Sequence, residues 1–162
     1  MVRHIAREIV TAYIVSSDGM LLLGKKPVGS GGVYPDNLHN PGGGVDEGES
    51  KLSALLREIQ EETGLTVSQG QVELVDDQGT GKSIKSTEGE QIIVTMHFNV
   101  YKVTLGQSHE SVIVQEGDDL VDFDWYSTKD ILTLPLTPPA FDLFDRIGMQ
   151  WLQVGSVKGS NS

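Results

Sequence analysis

The 162-residue chain contains no cysteine. That excludes disulfides, thiolate metal sites and a cysteine nucleophile, and it leaves the compartment open. Cations are scarce: 12 Lys and Arg stand against 23 Asp and Glu, for a net charge of −11. Such a surface repels duplex DNA and anionic lipid, which argues against a general nucleic-acid binder or a membrane-surface protein. It would also repel a phosphate substrate unless bound cations intervene. No apolar run approaches the roughly 20 residues of a membrane span. Ile9 to Val15 is apolar but short, and Arg3, Arg7 and Glu8 precede it, so it does not read as a signal peptide. A soluble, cytoplasmic protein is expected. There is no internal repeat, and the length suits one domain with a sizeable core.

Against this background one stretch is dense with signals: Gly43 to Leu65, GGVDEGESKLSALLREIQEETGL. It reads as a glycine turn, an acidic loop, a helix and a stop. Ser50 is a good N-cap, because its hydroxyl can take a free backbone N–H. Leu52, Leu55, Leu56 and Ile59 recur at i, i+3, i+4 and i+7, which makes one apolar face. Gly64 ends the helix, since glycine accepts the left-handed conformation. Glu58, Glu61 and Glu62 fall at i, i+3 and i+4 and form one cluster, expected away from the leucine face. Three carboxylates so placed repel one another, and no lysine lies among them. The nearest cation is Arg57, which can pair with Glu49 across the helix entry. On an isolated helix this would be a solvated acidic face. A hard divalent cation, Mg²⁺ or Mn²⁺, would instead turn the repulsion into ligation.

The order and spacing favour the second reading. The stretch fits G-x5-E-x7-R-E-U-x-E-E-x-G-U, with U aliphatic, through Gly43, Glu49, Arg57, Glu58, Ile59, Glu61, Glu62, Gly64 and Leu65. This resembles the Nudix box of the Nudix hydrolases, with no position missing. Looser resemblance covers most of Ile9 to Trp151. It implies an α/β protein with the Nudix fold, an α/β/α sandwich around a mixed β-sheet. It also implies metal-dependent hydrolysis of a nucleoside diphosphate linked to another group.

By the same resemblance, Glu58 and Glu62 are the best metal ligands. Glu61 completes the cluster directly or through water, and the carbonyl of Gly42 is a further ligand. Arg57 orients a carboxylate with Glu49 as its partner. Relatives often carry one more metal-binding or catalytic glutamate in a loop shortly before a strand ending in tryptophan. Glu116 is the candidate, with Asp118 and Asp119 as weaker competitors. The general base stays open among Glu58, Glu61 and Glu116. Lys25 and Lys26 sit where relatives often place a phosphate-binding cation, although solvated strand-end lysines would look the same.

The rest of the chain gives the frame. Met1 to Arg7 reads as an N-terminal arm, residues 8–154 as the Nudix domain and residues 155–162 as a disordered tail. Strands are expected at Glu8 to Val15 and Met20 to Lys25, joined at Ser17-Asp18-Gly19. Further strands are expected at Gln71 to Asp77, Gln91 to Leu105, Ser111 to Val114 and Leu120 to Tyr126. Along the longest, Val94, Met96, Phe98 and Val100 are expected in the core, and Thr95, His97, Asn99 and Tyr101 are candidates to line a cleft. Pro27 to Asn37 is a glycine-rich loop without the GK[ST] ending of a Walker loop. Gln78 to Glu90 reads as a mobile loop. Thr128 to Leu132 reads as a short helix. Thr137-Pro138-Pro139 opens a last helix whose apolar face is Phe141, Phe144, Ile147 and Trp151.

Signatures of the subfamilies acting on ADP-ribose, NADH and coenzyme A are not found; the first would place a proline near Thr80. The pattern leans to a nucleoside triphosphate, a damaged one included, with ADP-sugars and dinucleoside polyphosphates as alternatives. A non-catalytic nucleotide-binding module would show an eroded box, and isopentenyl diphosphate isomerase would need a cysteine. Nudix proteins are often dimers, so a homodimer is an open expectation.

Overall fold

The computed structural model describes residues 1–30 and 34–153, so the expected tail at 155–162 lies outside it. Seven strands form one mixed sheet: β1 (Val2–Val15), β2 (Met20–Lys25), β3 (Leu38–His39), β4 (Gly42–Gly44), β5 (Val72–Thr87), β6 (Glu90–Thr104) and β7 (Val121–Ser127). The main path runs β3-β2-β1-β6-β5, with β4 added to β1 and β7 to β2. Only β1 and β6 run parallel.

The alternation of β1 sorts the core into two layers. Val10, Ala12 and Ile14 pack with Ala54, Leu55 and Ile59 of helix α1 (Lys51–Thr63). Tyr13 and Val15 pack on the other side with Ala140, Leu143 and Phe144 of helix α2 (Pro138–Ile147). The architecture is the α/β/α sandwich expected. Helix α1 has its expected ends. The Ser50 hydroxyl accepts from the Ser53 N–H, and Gly64 sits at φ 75° with its N–H donating to the Gln60 carbonyl.

Four expectations need correction. Residues 1–7 are not a loose arm: Val2 to Arg7 continue β1, paired in parallel with Gln91 to Met96. Residues 78–90 are not a loop: β5 runs to Thr87 and turns into β6 through Glu88 and Gly89, the latter at φ 69°. Both segments gain their ladder partners from β6, a tertiary contact that local composition does not encode. No strand forms at Ser111 to Val114, where a 3₁₀ turn at His109–Ser111 leads into irregular chain. In α2 the buried residues are Ala140, Leu143 and Phe144, whereas Phe141 and Ile147 are exposed. The helix ends at Ile147, and Trp151 returns on a separate 3₁₀ turn to stack near Tyr13 and Phe144.

This layering predicts unequal costs of truncation. Leu55→Ala, fully buried under α1, should lower unfolding free energy by about 2–5 kcal/mol. Phe141→Ala should cost less than about 1 kcal/mol. Urea denaturation of both variants measures the difference.

Candidate active site

The site is built where α1 passes under β4. Glu62 lies seven residues after Leu55, so helical spacing puts it on the buried face beside Leu55 and Ile59. It is only 4% exposed. The three glutamates therefore do not share one solvated face. Glu62 Oε1 accepts from the Gly42 N–H at 2.7 Å. Gly42 meets the cluster through its amide, and that is the contact the structure gives it. Gly43 has the opposite orientation: a Cβ there would run into the Glu58 carboxylate. The glycines are thus places where backbone and carboxylate come too close for a side chain.

Arg57 organises the acids around it. Its Nε and Nη2 donate to Glu49 at 2.8 and 2.9 Å. Its Nη1 donates to Glu58 and Glu61, both at 3.0 Å, and Nη2 also reaches the Gly44 carbonyl. The expected Arg57–Glu49 pair is present, and Glu49 accepts from the Asp46 N–H as well. These hydrogen bonds hold the Glu49 carboxyl well below its usual range. Burial pushes Glu58 up, against the pull of Arg57 and with the charges of Glu61 and Asp119 adding. Burial pushes Glu62 up to about 8, and the Glu58 and Asp119 charges add to it while the Gly42 N–H opposes.

From the loop before β7, Asp118 and Asp119 stand beside the end of α1, whereas Glu116 does not. The loop before β7 docks on the end of α1 through Gln115 N–H to Thr63 O and Gly117 N–H to Glu62 O. Gly117 lies so close to the Glu61 carbonyl that no side chain would fit. This docking puts Asp119 beside Glu61 and Glu62. The Glu116 carboxylate turns away and accepts from the N–H of Asp122, a residue held at φ 51°. The loop expected to carry the extra acid does approach α1, but its local sequence does not show which of Glu116, Asp118 and Asp119 faces the helix.

A cleft of about 450 Å³ opens on the α2 side of the sheet. Gly42, Gly43, Glu62 and Lys26 line one end; Met96, Phe98, Asp76 and Arg146 line the other. Of the two candidate lysines, Lys26 lines the cleft and Lys25 is exposed at the end of β2, paired with Leu38 and Val121. On β6 the expected core face is partly that, with Val100 buried on the α2 side and Phe98 packed against it, but it also faces the cleft. Met96, Phe98 and Val100 line the cleft. On the other face Asn99 donates to Glu8 and to the Ile9 carbonyl, and Tyr101 joins the α1 core. Sequence reasoning also missed the far wall. Two bulges around Asp76 break the β5–β6 register, and Asp76 takes a two-pronged contact from Arg146 at 3.0 and 3.1 Å. Asn40 lines the cleft too, with its buried amide nitrogen lacking a partner among the described residues.

Among the described residues no three acidic or histidine side chains converge at metal-binding distance. The donor set nevertheless fits a hard divalent cation. It is all carboxylate oxygen, two of its members are desolvated, and the acids raise one another's pKa. A cation there would relieve that conflict.

The fold and this acid-ended cleft define a hydrolase of the Nudix class. A family model described as the NUDIX domain matches residues 6–147. The chain belongs to the Nudix family and is a Nudix pyrophosphohydrolase. The family generally depends on divalent metal. The CTP pyrophosphohydrolase of Escherichia coli (strain K12) is 28% identical over 138 residues, covering 84% of this chain and 87% of that protein. A MutT structure described for Aliivibrio salmonicida and Vibrio cholerae superposes with a TM-score of 0.62 at 20% identity, covering 90% and 98% of the two chains. The NUDIX domain of Shewanella oneidensis NrtR, cocrystallised with ADP ribose, gives 0.58 at 19% identity, covering 86% and 84%. No helix among the described residues is long and apolar enough to cross a membrane.

The raised pKa of Glu62 has a signed consequence. In the folded protein without metal, Glu62 keeps its proton up to about pH 8, whereas in the unfolded chain it loses it near 4.5. The folded state then binds more protons across that window, so stability falls as pH rises from about 4.5 to 8 and levels off above. Urea denaturation in chelator at several pH values should show this fall, and Glu62→Gln should flatten it.

Proposed function

We propose that the chain hydrolyses a pyrophosphate bond of a nucleoside triphosphate, with Mg²⁺ as the cation. One observation carries this reading: the buried carboxylate of Glu62, one member of the glutamate cluster, lines a cleft large enough for a nucleoside. The likeness to a CTP pyrophosphohydrolase supports the triphosphate over other linked diphosphates. At the far end, Phe98 offers a ring for stacking and Asp76 and Arg146 offer polar contacts to a base, while the Asn40 amide, partnerless among the described residues, lines the same cleft.

When bound, the cation neutralises phosphate charge and acidifies a water. Glu58 and Glu62 hold it, and Glu62 is fixed in place by the Gly42 N–H. Asp119 adds a carboxylate from the opposite loop. Arg57 bridges Glu58 and Glu61, its Nη1 donating to one oxygen of each. Glu61 serves as general base: its side chain is 52% exposed, and Arg57 is its sole side-chain partner among the described residues. Glu116 is committed to the Asp122 amide, which leaves it outside the reaction. Lys26 supplies a cation for phosphate oxygens at the cleft wall.

The test is a panel of canonical and oxidised nucleoside triphosphates, ADP-ribose and dinucleoside polyphosphates, incubated with Mg²⁺ or chelator and resolved by chromatography. Mg²⁺-dependent cleavage of triphosphates is expected. Glu61→Gln and Glu62→Gln should each lose at least about a hundredfold in kcat with the fold intact by circular dichroism. Glu116→Gln should stay within about threefold of wild type. Full activity in both Glu61→Gln and Glu62→Gln would refute the assignment.

A further inference from the structure

Gly44 is a glycine for a reason its own backbone does not supply. Its φ is outside the left-handed region that Gly48 and Gly64 occupy. A Cβ built on it would overlap the Arg7 guanidinium, at Nη2 above all. Arg7 fills the space where a side chain of residue 44 would stand. The strands explain the meeting. Ile9 pairs with Gly44 across β1 and β4, and Arg7 lies two residues before Ile9 on the same face of the sheet. That is the cleft face: Ile9 lines the cleft, and so does Met96, which stands opposite Arg7 in the β1–β6 register.

The chain has four arginines. Arg3 pairs with Glu90, Arg57 with a ring of acids, and Arg146 with Asp76 and Asp142. Arg7 has no ion pair or hydrogen bond among the described residues. In a protein with 23 acidic residues, this leaves one guanidinium without an ion pair among the described residues. It sits two residues along β4 from Gly42, which anchors Glu62. Two residues of strand span roughly 7 Å, about the reach of a diphosphate unit.

We infer that Arg7 binds phosphoryl oxygens of the substrate's polyphosphate, and that Gly44 is the residue that admits it. The inference rests on the pyrophosphohydrolase reading and adds to it a second anchor beyond the carboxylate cluster. A guanidinium is charged at all working pH values and offers parallel N–H donors to two phosphate oxygens. With the cation site at one end and Arg7 at the other, the protein measures polyphosphate length. A triphosphate reaches both anchors; a monophosphate does not.

Because Arg7 is exposed, its replacement leaves the core untouched. Arg7→Gln should raise KM for the triphosphate about tenfold to a hundredfold, with kcat within about threefold. Arg7→Lys should recover part of the loss. Gly44→Ala should reproduce the KM effect by displacing the guanidinium, and Arg7→Gln added to Gly44→Ala should change little more. Calorimetric binding of inorganic triphosphate with Mg²⁺ gives a readout apart from turnover, and its affinity should fall in parallel. Wild-type protein that binds triphosphate, with Arg7→Gln binding it equally well and at unchanged KM, would overturn the role of Arg7 alone. Wild-type protein that neither binds nor cleaves any triphosphate would overturn the functional reading and this inference together.

Discussion

The site depends on a carboxylate placed where carboxylates are costly. Glu62 is buried under β4, held by one amide hydrogen bond from Gly42 and flanked by the charges of Glu58 and Asp119. A lone buried carboxylate would be removed by selection for stability or neutralised by a partner. Here Arg57 is spent on Glu49, Glu58 and Glu61, and the charge of Lys26 offsets the burial of Glu62 only in part. Such an arrangement fits a hard divalent cation, on which the Nudix family generally depends.

The surrounding fold serves that arrangement. Leu55 and Ile59 clamp α1 to the sheet, and Glu62 follows at the same helical phase, so packing the helix also buries the acid. Strand β4 then lays its glycines over the helix. Gly43 makes room for Glu58, Gly44 makes room for Arg7, and Gly42 points its N–H at Glu62. One short strand thereby touches the cation site on one face and the cleft on the other. The loop before β7 closes the assembly from the far side, where Gly117 permits the approach that delivers Asp119.

Sequence revealed α1 and its glutamates because their signals are local. The Ser50 cap, the 3.6-residue apolar period, the Gly64 stop and the Arg57–Glu49 spacing all lie within one short stretch. It did not reveal the strand character of Val2–Arg7 or of residues 78–87, because both are stabilised by pairing with β6 at long sequence separation. The alternation of β6 was legible, but which face meets the cleft was not: both α1 and α2 cover the sheet, and an apolar face serves a core and a nucleoside cleft equally well. Glu116 and Asp119 differ only in how the loop around Gly117 turns, which is fixed by hydrogen bonds to the end of α1. Arg7 was read as part of a loose arm, and its position became meaningful only once β1 and β4 were paired.

The central claim is that Glu62 is held protonated until a divalent cation arrives. Its most direct test is to titrate the metal-free protein with Mn²⁺ or Mg²⁺ by calorimetry in buffers of different ionisation enthalpy, at several pH values. With Glu62 near 8, binding at pH 7 should release about one proton, and the release should fade as pH rises past 8 and be lost in Glu62→Gln. Cation binding with no proton release at pH 7, or release unchanged in Glu62→Gln, would contradict the account.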